Sequence, residues 1–155
     1  SECDLSDTIE HHNTMTRYAQ ACAVIVEFGV CLGGSTRAFL RGVGSRLESW
    51  DTDACAQARE QIADPKWVFH QGDSKTAEIP ECDMLYIDSE HTRQQVAAEL
   101  LHAPKVRRWI MLHDTVTLAR EVCPPVFAFL ASHPEWCVRE HFDNNNGLTI
   151  LEKSA

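Results

Sequence analysis

No stretch of this chain is apolar for the roughly 20 residues that a helix needs to cross a bilayer. The opening run SECDLSDTIE is acidic and polar, which is unlike a secretory signal. Cationic residues are scarce. There are 14 Lys and Arg against 23 Asp and Glu, a formal net charge of -9. An acidic surface repels nucleic acid and anionic lipid, so neither is expected as a partner. The cluster Lys105, Arg107 and Arg108 is too short to reverse that. Glycine and proline are few, 7 and 6, and no repeat, low-complexity tract or interdomain linker stands out. Cysteine is present seven times, an odd number, yet no CxxC pair exists, so zinc-finger spacing is missing. Several cysteines flank apolar runs. The expectation is buried free thiols in a reducing, cytoplasmic setting.

What is present suits one α/β domain spanning residues 1–155: 44% hydrophobic and 24% charged. Short apolar runs alternate with longer amphipathic ones. Residues 7–22 read as an opening helix with Ser6 or Asp7 as its cap. The β-branched run AVIVEF (23–28) reads as a buried strand ending before Gly29. Helices are expected at 34–43, at 53–63 behind Asp53 as cap, at 91–103 before Pro104, and at 125–133 after two prolines. Further strands are expected at 46–51, 66–71, 82–88 and 107–114. The last two, 136–142 and 148–153, flank the turn-rich DNNNG. Alternation of strand and helix implies a parallel sheet covered on both faces. The final pair has no helix between its members and can pair antiparallel. The expected fold is therefore a Rossmann-like, mostly parallel sheet of seven strands with an antiparallel C-terminal hairpin.

Ligands of such sheets bind beyond the carboxyl ends of the strands, near the switch point. Each parallel strand brings an acid to that rim: Glu27, Asp51, Asp73, Asp88 with His91 following, and Asp114 behind His113. Singly, an acid there is an ordinary helix cap. Jointly, buried acids repel one another and resist desolvation unless a ligand or cation offsets them. The loop EFGVCLGGS carries Gly29, Gly33 and Gly34, which let a ligand approach the backbone. Its spacing is neither the GxGxxG of dinucleotide sites nor a P-loop, and it has no Lys. The loop suits a ligand with a cationic part better than a phosphate. Asp51 lies 22 residues after Gly29, where a carboxylate can take two ribose hydroxyls. Asp73 can meet an adenine amino group. A dehydrogenase is disfavoured by the glycine spacing.

The segments VIVEFGVCLGGST, SWD, HQGDS, DMLYIDSEHT and RWIMLHDT resemble those of class I S-adenosylmethionine-dependent methyltransferases. More narrowly they resemble the branch around the cephalosporin-hydroxylase-like and macrolide-sugar O-methyltransferases. The resemblance implies that Glu27, Gly29, Gly33, Gly34 and Ser35 hold the methionine end of S-adenosylmethionine. It implies that Asp51 takes the ribose, and Asp73 and Ser74 the adenine. It implies that Asp88, His113 and Asp114 bind a divalent metal such as Mg2+, and that His91 is the base. His113 departs from the pattern, since an oxygen ligand is common there.

The expected reaction is metal-assisted O-methylation of a small hydroxylated molecule, with Asp88 and His91 as catalytic residues. A hard cation lowers the hydroxyl pKa and His91 takes the proton. Two alternatives stand beside it: a methyltransferase without metal, and a non-catalytic S-adenosylmethionine-binding scaffold domain. Only one helix precedes the first strand and no insertion can form a lid, so a homo-oligomer that completes the pocket is expected.

Overall fold

The computed structural model describes residues 3–155. A 3-10 segment, Leu5–His11, leads into α1 (His12–Ala19). Then follow β1 (Val24–Phe28), α2 (Gly34–Leu40), β2 (Arg46–Asp51), α3 (Ala56–Gln61), β3 (Trp67–Gln71), β4 (Cys82–Ile87), α4 (Arg93–Leu100), β5 (Val106–His113), α5 (Ala119–Ser132), β6 (Trp136–Phe142) and β7 (Leu148–Lys153). The strands form one seven-stranded sheet in the order β3-β2-β1-β4-β5-β7-β6. Strands β1 to β5 are parallel. β7 is antiparallel to β5 and β6. The Rossmann-like sheet read from the sequence is the one that forms. Among the described residues no helix is long and apolar enough to cross a membrane.

The alternation of side chains along each central strand feeds two cores. Val26, Phe28, Leu85, Ile87, Ile110 and Leu112 face Val96, Leu100, Val122 and Val126 of α4 and α5. Their neighbours Ile25, Met84, Tyr86, Trp109 and Met111 face Met15, Ala38 and Phe39 of α1 and α2. Each fully buried large side chain contributes about 2 kcal/mol by area removed from water. Glu27 falls on the α2 side by the same two-residue period, and this decides its fate below.

The chain crosses between β1 and β4, so the switch point lies there. The Asp88 N–H donates to the Phe28 carbonyl at 2.9 Å and Gly29 N–H to the Trp50 carbonyl at 2.9 Å. Gly29 has φ +92°, and a Cβ on it would collide with the Asp88 carbonyl oxygen. Only glycine lets these two strand ends meet.

Four local expectations need correction. The first helical turn is capped by Asp4, which accepts the Ser6 N–H at 2.8 Å, rather than by Ser6 or Asp7. Asp53 does not cap α3 directly. It accepts the Cys55 N–H at 2.7 Å and forms the turn that sets Cys55 at the cap. α5 begins at Ala119 and carries Pro124 and Pro125 inside it. Pro124 has no N–H for the Arg120 carbonyl, and that carbonyl instead accepts Arg93 Nε–H from α4 at 3.0 Å. Finally, the cysteines are not all free: Cys3 and Cys31 are joined, tying the N-terminal segment to the glycine loop. Of the rest, Cys22, Cys55 and Cys82 are buried thiols, Cys123 is partly buried and Cys137 is exposed.

Candidate active site

A cavity of about 700 Å³ opens above the carboxyl ends of β1 to β5. Asp7, Asp51, Asp53, Asp73, Asp88, Glu90 and Asp114 line it, with His91 and His113, and no Lys or Arg does among the described residues. That wall repels phosphate and attracts a cation.

On one side of the cavity Asp51 ends β2. Its Oδ2 accepts the Val30 and Cys31 N–H groups at 2.8 and 3.1 Å, and its Oδ1 the Asp53 N–H at 2.9 Å. It thereby pins the glycine loop while lining the cavity. Beside it Trp50 stacks on His70 at 4.2 Å and also lines the cavity. Asp73 accepts the Lys75 N–H at 2.9 Å, and that bond holds its carboxyl below the ordinary value. Ser74 lies at the inner end, buried.

On the other side β4 and β5 deliver Asp88 and Asp114. Asp114 sits at φ +60°, the left-handed region that few non-glycine residues occupy, at the point where β5 ends. His91 Nε2 bridges the two acids, 3.0 Å from Asp88 Oδ1 and 2.8 Å from Asp114 Oδ2. His113 Nδ1 faces the same pair, 3.3 Å from Asp88 Oδ1 and 3.1 Å from Asp114 Oδ2. Burial disfavours a charged imidazole at both positions. Hydrogen bonds to Asp114 and Asp88 outweigh it and raise His91 to about 9 and His113 to about 10. Burial likewise works against a charged Asp114, and the two imidazoles overcome it and hold that carboxyl well below its usual range. Tyr86, fully buried, donates its hydroxyl to Asp88 Oδ2 at 3.0 Å and fixes the carboxylate plane.

One ligand atom from each of Asp88, His91 and Asp114 lies within 4.8 Å of the others, the spacing of a metal trio. His113, expected from the sequence with Asp88 and Asp114 in the metal set, is not one of these three, although its Nδ1 faces the same two acids. Its Nε2 is committed to the Asn145 carbonyl at 3.0 Å, and the ring is wedged beneath the acids.

The loop residues divide. Gly29 lines the large cavity. Gly34 and Ser35 line a satellite of about 60 Å³ beneath the N-terminal segment, with Gly29 and Asp88. Gly33, at φ +84°, shapes the start of α2 and lines neither space. Glu27 lines neither space, because its side chain points under α2. There its carboxylate accepts hydroxyls from Ser35 at 2.6 Å, Ser49 at 2.7 Å and Thr36 at 2.8 Å. Burial still prevails over these bonds and lifts the carboxyl to about 7.

Sequence reading placed the Asn145–Asn146–Gly147 turn between the last two strands but gave it no part in the site. All three residues have positive φ. The Asn144 and Asn145 carbonyls accept His11 Nε2–H at 2.9 and 3.2 Å, while Asn146 reaches the cavity. The signal was the run of residues that tolerate left-handed backbone, which a plain hairpin also explains. Asp7, Ser89 and Gln95 line the cavity too, and nothing local marks them.

A family model described as "Methyltransferase domain" matches residues 26–115, more than half of the chain and nearly the whole span from β1 to the end of β5. The chain belongs to this methyltransferase family. Solved structures share the architecture of the methyltransferase domain at low identity. The O-methyltransferase of Bacillus cereus in complex with SAH is 17% identical, with 94% of this chain and 81% of that one covered at a TM-score of 0.75. Cofactor-bound Rv0187 from MTB is 16% identical, with 96% and 86% covered at 0.76. The N-methyltransferase NodS of Bradyrhizobium japonicum WM9, bound to S-adenosyl-L-homocysteine, is 13% identical, with 94% and 87% covered at 0.72. Oxygen and nitrogen methylation thus share this fold, and the fold alone does not choose the acceptor atom. No curated protein matches the sequence.

Proposed function

We propose that this methyltransferase domain binds S-adenosylmethionine in the large cavity and methylates a hydroxyl oxygen of a small acceptor, with a divalent cation held at Asp88 and Asp114. The carrying observation is the composition of the wall: seven carboxylates and two imidazoles with no Lys or Arg among the described residues. A sulfonium with a ribose and an amino-purine fits that wall, and a dinucleotide pyrophosphate does not. When bound, S-adenosylmethionine supplies an electrophilic methyl carbon, transferred in line as the carbon–sulfur bond breaks and the carbon–oxygen bond forms. Asp51, at the end of β2, takes a ribose hydroxyl with the Oδ1 lone pair that the Asp53 N–H leaves free. Asp73 and Ser74 face the base. Gly29 keeps the floor low enough for the methionine end to pass Asp88.

Asp88 and Asp114 are hard oxygen ligands at the rim, the type that suits Mg2+. When bound, such a cation supplies Lewis acidity that lowers the pKa of the acceptor hydroxyl. The role of His91 follows from charge. As the chain stands, Nε2 holds a proton between two carboxylates, and a base must be free of it. Were Asp88 and Asp114 to hold such a cation, the hydrogen bonds that raise the ring would weaken, and Nε2 would be free to accept the acceptor's hydroxyl proton. Asp88 and Asp114 orient the imidazole in either case.

A second reading has its own observation. The two imidazoles already sit against both acids, and His91 Nε2 is 2.8 Å from Asp114. In that reading the acids hold His91 alone and no metal takes part. Turnover measured after EDTA and again after adding Mg2+ separates the two. Loss and recovery supports metal assistance, and EDTA-insensitive turnover supports His91 acting with its acids. A coupled assay for S-adenosylhomocysteine over hydroxylated and amine acceptors tests the acceptor atom.

A further inference from the structure

Beneath the inner end of the cavity lies a carboxyl that the proposed chemistry does not use. Glu99 is fully buried on α4, and its Oε2 has no hydrogen-bond partner among the described residues. Burial raises its pKa, against hydrogen bonds from Ser74, Ser89 and Gln95 that lower it. A buried carboxyl with an unpaired oxygen destabilises a fold that an apolar side chain would serve better. Its other oxygen is crowded. Oε1 accepts the Ser74 hydroxyl at 2.6 Å, the Gln95 Nε2–H at 3.2 Å, and the hydroxyl of Ser89.

The direction of these bonds matters. A serine hydroxyl has one hydrogen and two lone pairs. Both serines line the cavity, and both spend their hydrogen inward on Glu99. Ser74 also accepts the Gln95 Nε2–H at 2.7 Å. What remains toward the cavity is lone pairs, one on Ser74 and two on Ser89. Asp73 adjoins them with a carboxylate held in its charged form by the Lys75 N–H.

We infer that Glu99 is a positioning residue that makes the hydroxyls of Ser74 and Ser89 act as acceptors only toward this end of the cavity, and so selects a cofactor whose base carries an exocyclic amino group over one carrying an exocyclic oxygen. The inference rests on the S-adenosylmethionine reading above. A 6-amino purine donates to the wall. A 6-oxo purine sets lone pair against lone pair, and the serines cannot turn to meet it while Glu99 holds their hydrogens. Without Glu99 the hydroxyls rotate freely and accommodate either base.

The test is calorimetric titration of the full chain with S-adenosylhomocysteine and with S-inosylhomocysteine, which differ only in the 6-amino or 6-oxo purine. The wild type is expected to prefer the amino compound by about 100-fold, as sites with fixed buried polar groups do. In Glu99→Leu the ratio is expected to fall to about 10-fold or below, because no acceptor holds the hydroxyls. Glu99→Gln keeps an acceptor oxygen and is expected to retain the wild-type ratio within about threefold. If Glu99→Leu does not fold, the pair Ser74→Ala and Ser89→Ala removes the lone pairs themselves and should lower the ratio in the same way. An unchanged ratio in a folded Glu99→Leu or in the serine pair overturns the inference, as does a wild type without preference. A wild type that binds neither compound removes the S-adenosylmethionine reading, and this inference with it. That failure is distinct from binding without selectivity.

Discussion

Replacing Glu27 by glutamine isolates one buried proton. Glu27 is fully buried and its carboxyl is lifted to about 7, against an ordinary value of 4.5 in the unfolded chain. Below the lower value both states are protonated and the group contributes nothing to the pH dependence. Between the two values the folded chain keeps the proton and the unfolded chain loses it. Stability therefore falls as pH rises through that window, by about 1.36 kcal/mol for each pH unit. Across the interval from 4.5 to about 7 the loss sums to about 3 kcal/mol. Above it both states are ionised and the loss is complete. The amide of Glu27→Gln does not titrate, and the hydroxyls of Ser35, Thr36 and Ser49 can turn to meet it. Urea denaturation of both proteins at half-unit steps from about pH 4.5 to 8 gives the comparison. The quantity to read is the difference between the two stabilities, because the other titrating groups are common to both. It is expected to move by about 3 kcal/mol in favour of the glutamine variant as pH rises, with the slope confined below about pH 7. A difference that stays flat with pH would refute the buried-proton reasoning.

Three other outcomes follow from the same geometry. Asp114→Asn removes the shorter of the two carboxylate bonds to His91 Nε2, 2.8 Å, and should bring the His91 midpoint down from about 9 toward its ordinary value in an NMR pH titration; an unmoved midpoint contradicts the assignment. Gly29→Ala sets a Cβ against the Asp88 carbonyl in left-handed backbone, and denaturation should show a loss of about 3 kcal/mol or more. A loss below about 1 kcal/mol would mean that the strand ends can part freely. Asp88→Ala should abolish Mg2+-dependent turnover while calorimetry still detects S-adenosylhomocysteine, and unchanged turnover removes Asp88 from the metal role.

The strands and their order of use were legible because the apolar runs are short, β-branched and punctuated by acids. Asp51, Asp73, Asp88 and Asp114 stand at strand ends in the sequence pattern, and parallel pairing carries them to one rim. Glu27 was not legible as a core residue. It follows Val26 by one position and so faces α2 rather than the cavity, and only the two-sided packing shows that its partners are hydroxyls. The start of α5 was missed because prolines usually open a helix, whereas here a contact from Arg93, 27 residues away, satisfies the carbonyl that Pro124 frees. The positions of His91 and His113 around the two acids were not legible for a similar reason. Their roles depend on the Asn145 carbonyl, which reaches β5 from a turn 32 residues later. Glu99 looks like any surface glutamate of a helix until Ser74 and Ser89 are seen around it. Contacts between distant segments leave no local trace in composition or spacing.

The most direct measurement is calorimetric titration of the purified chain with S-adenosylmethionine at about pH 7.5 in low salt. The expected result is saturable binding of one ligand per chain with a Kd of micromolar order, about -8 kcal/mol. Absence of heat at ligand concentrations up to about 1 mM, from a chain that is folded by circular dichroism, would contradict the reading of the acidic cavity as a cofactor site.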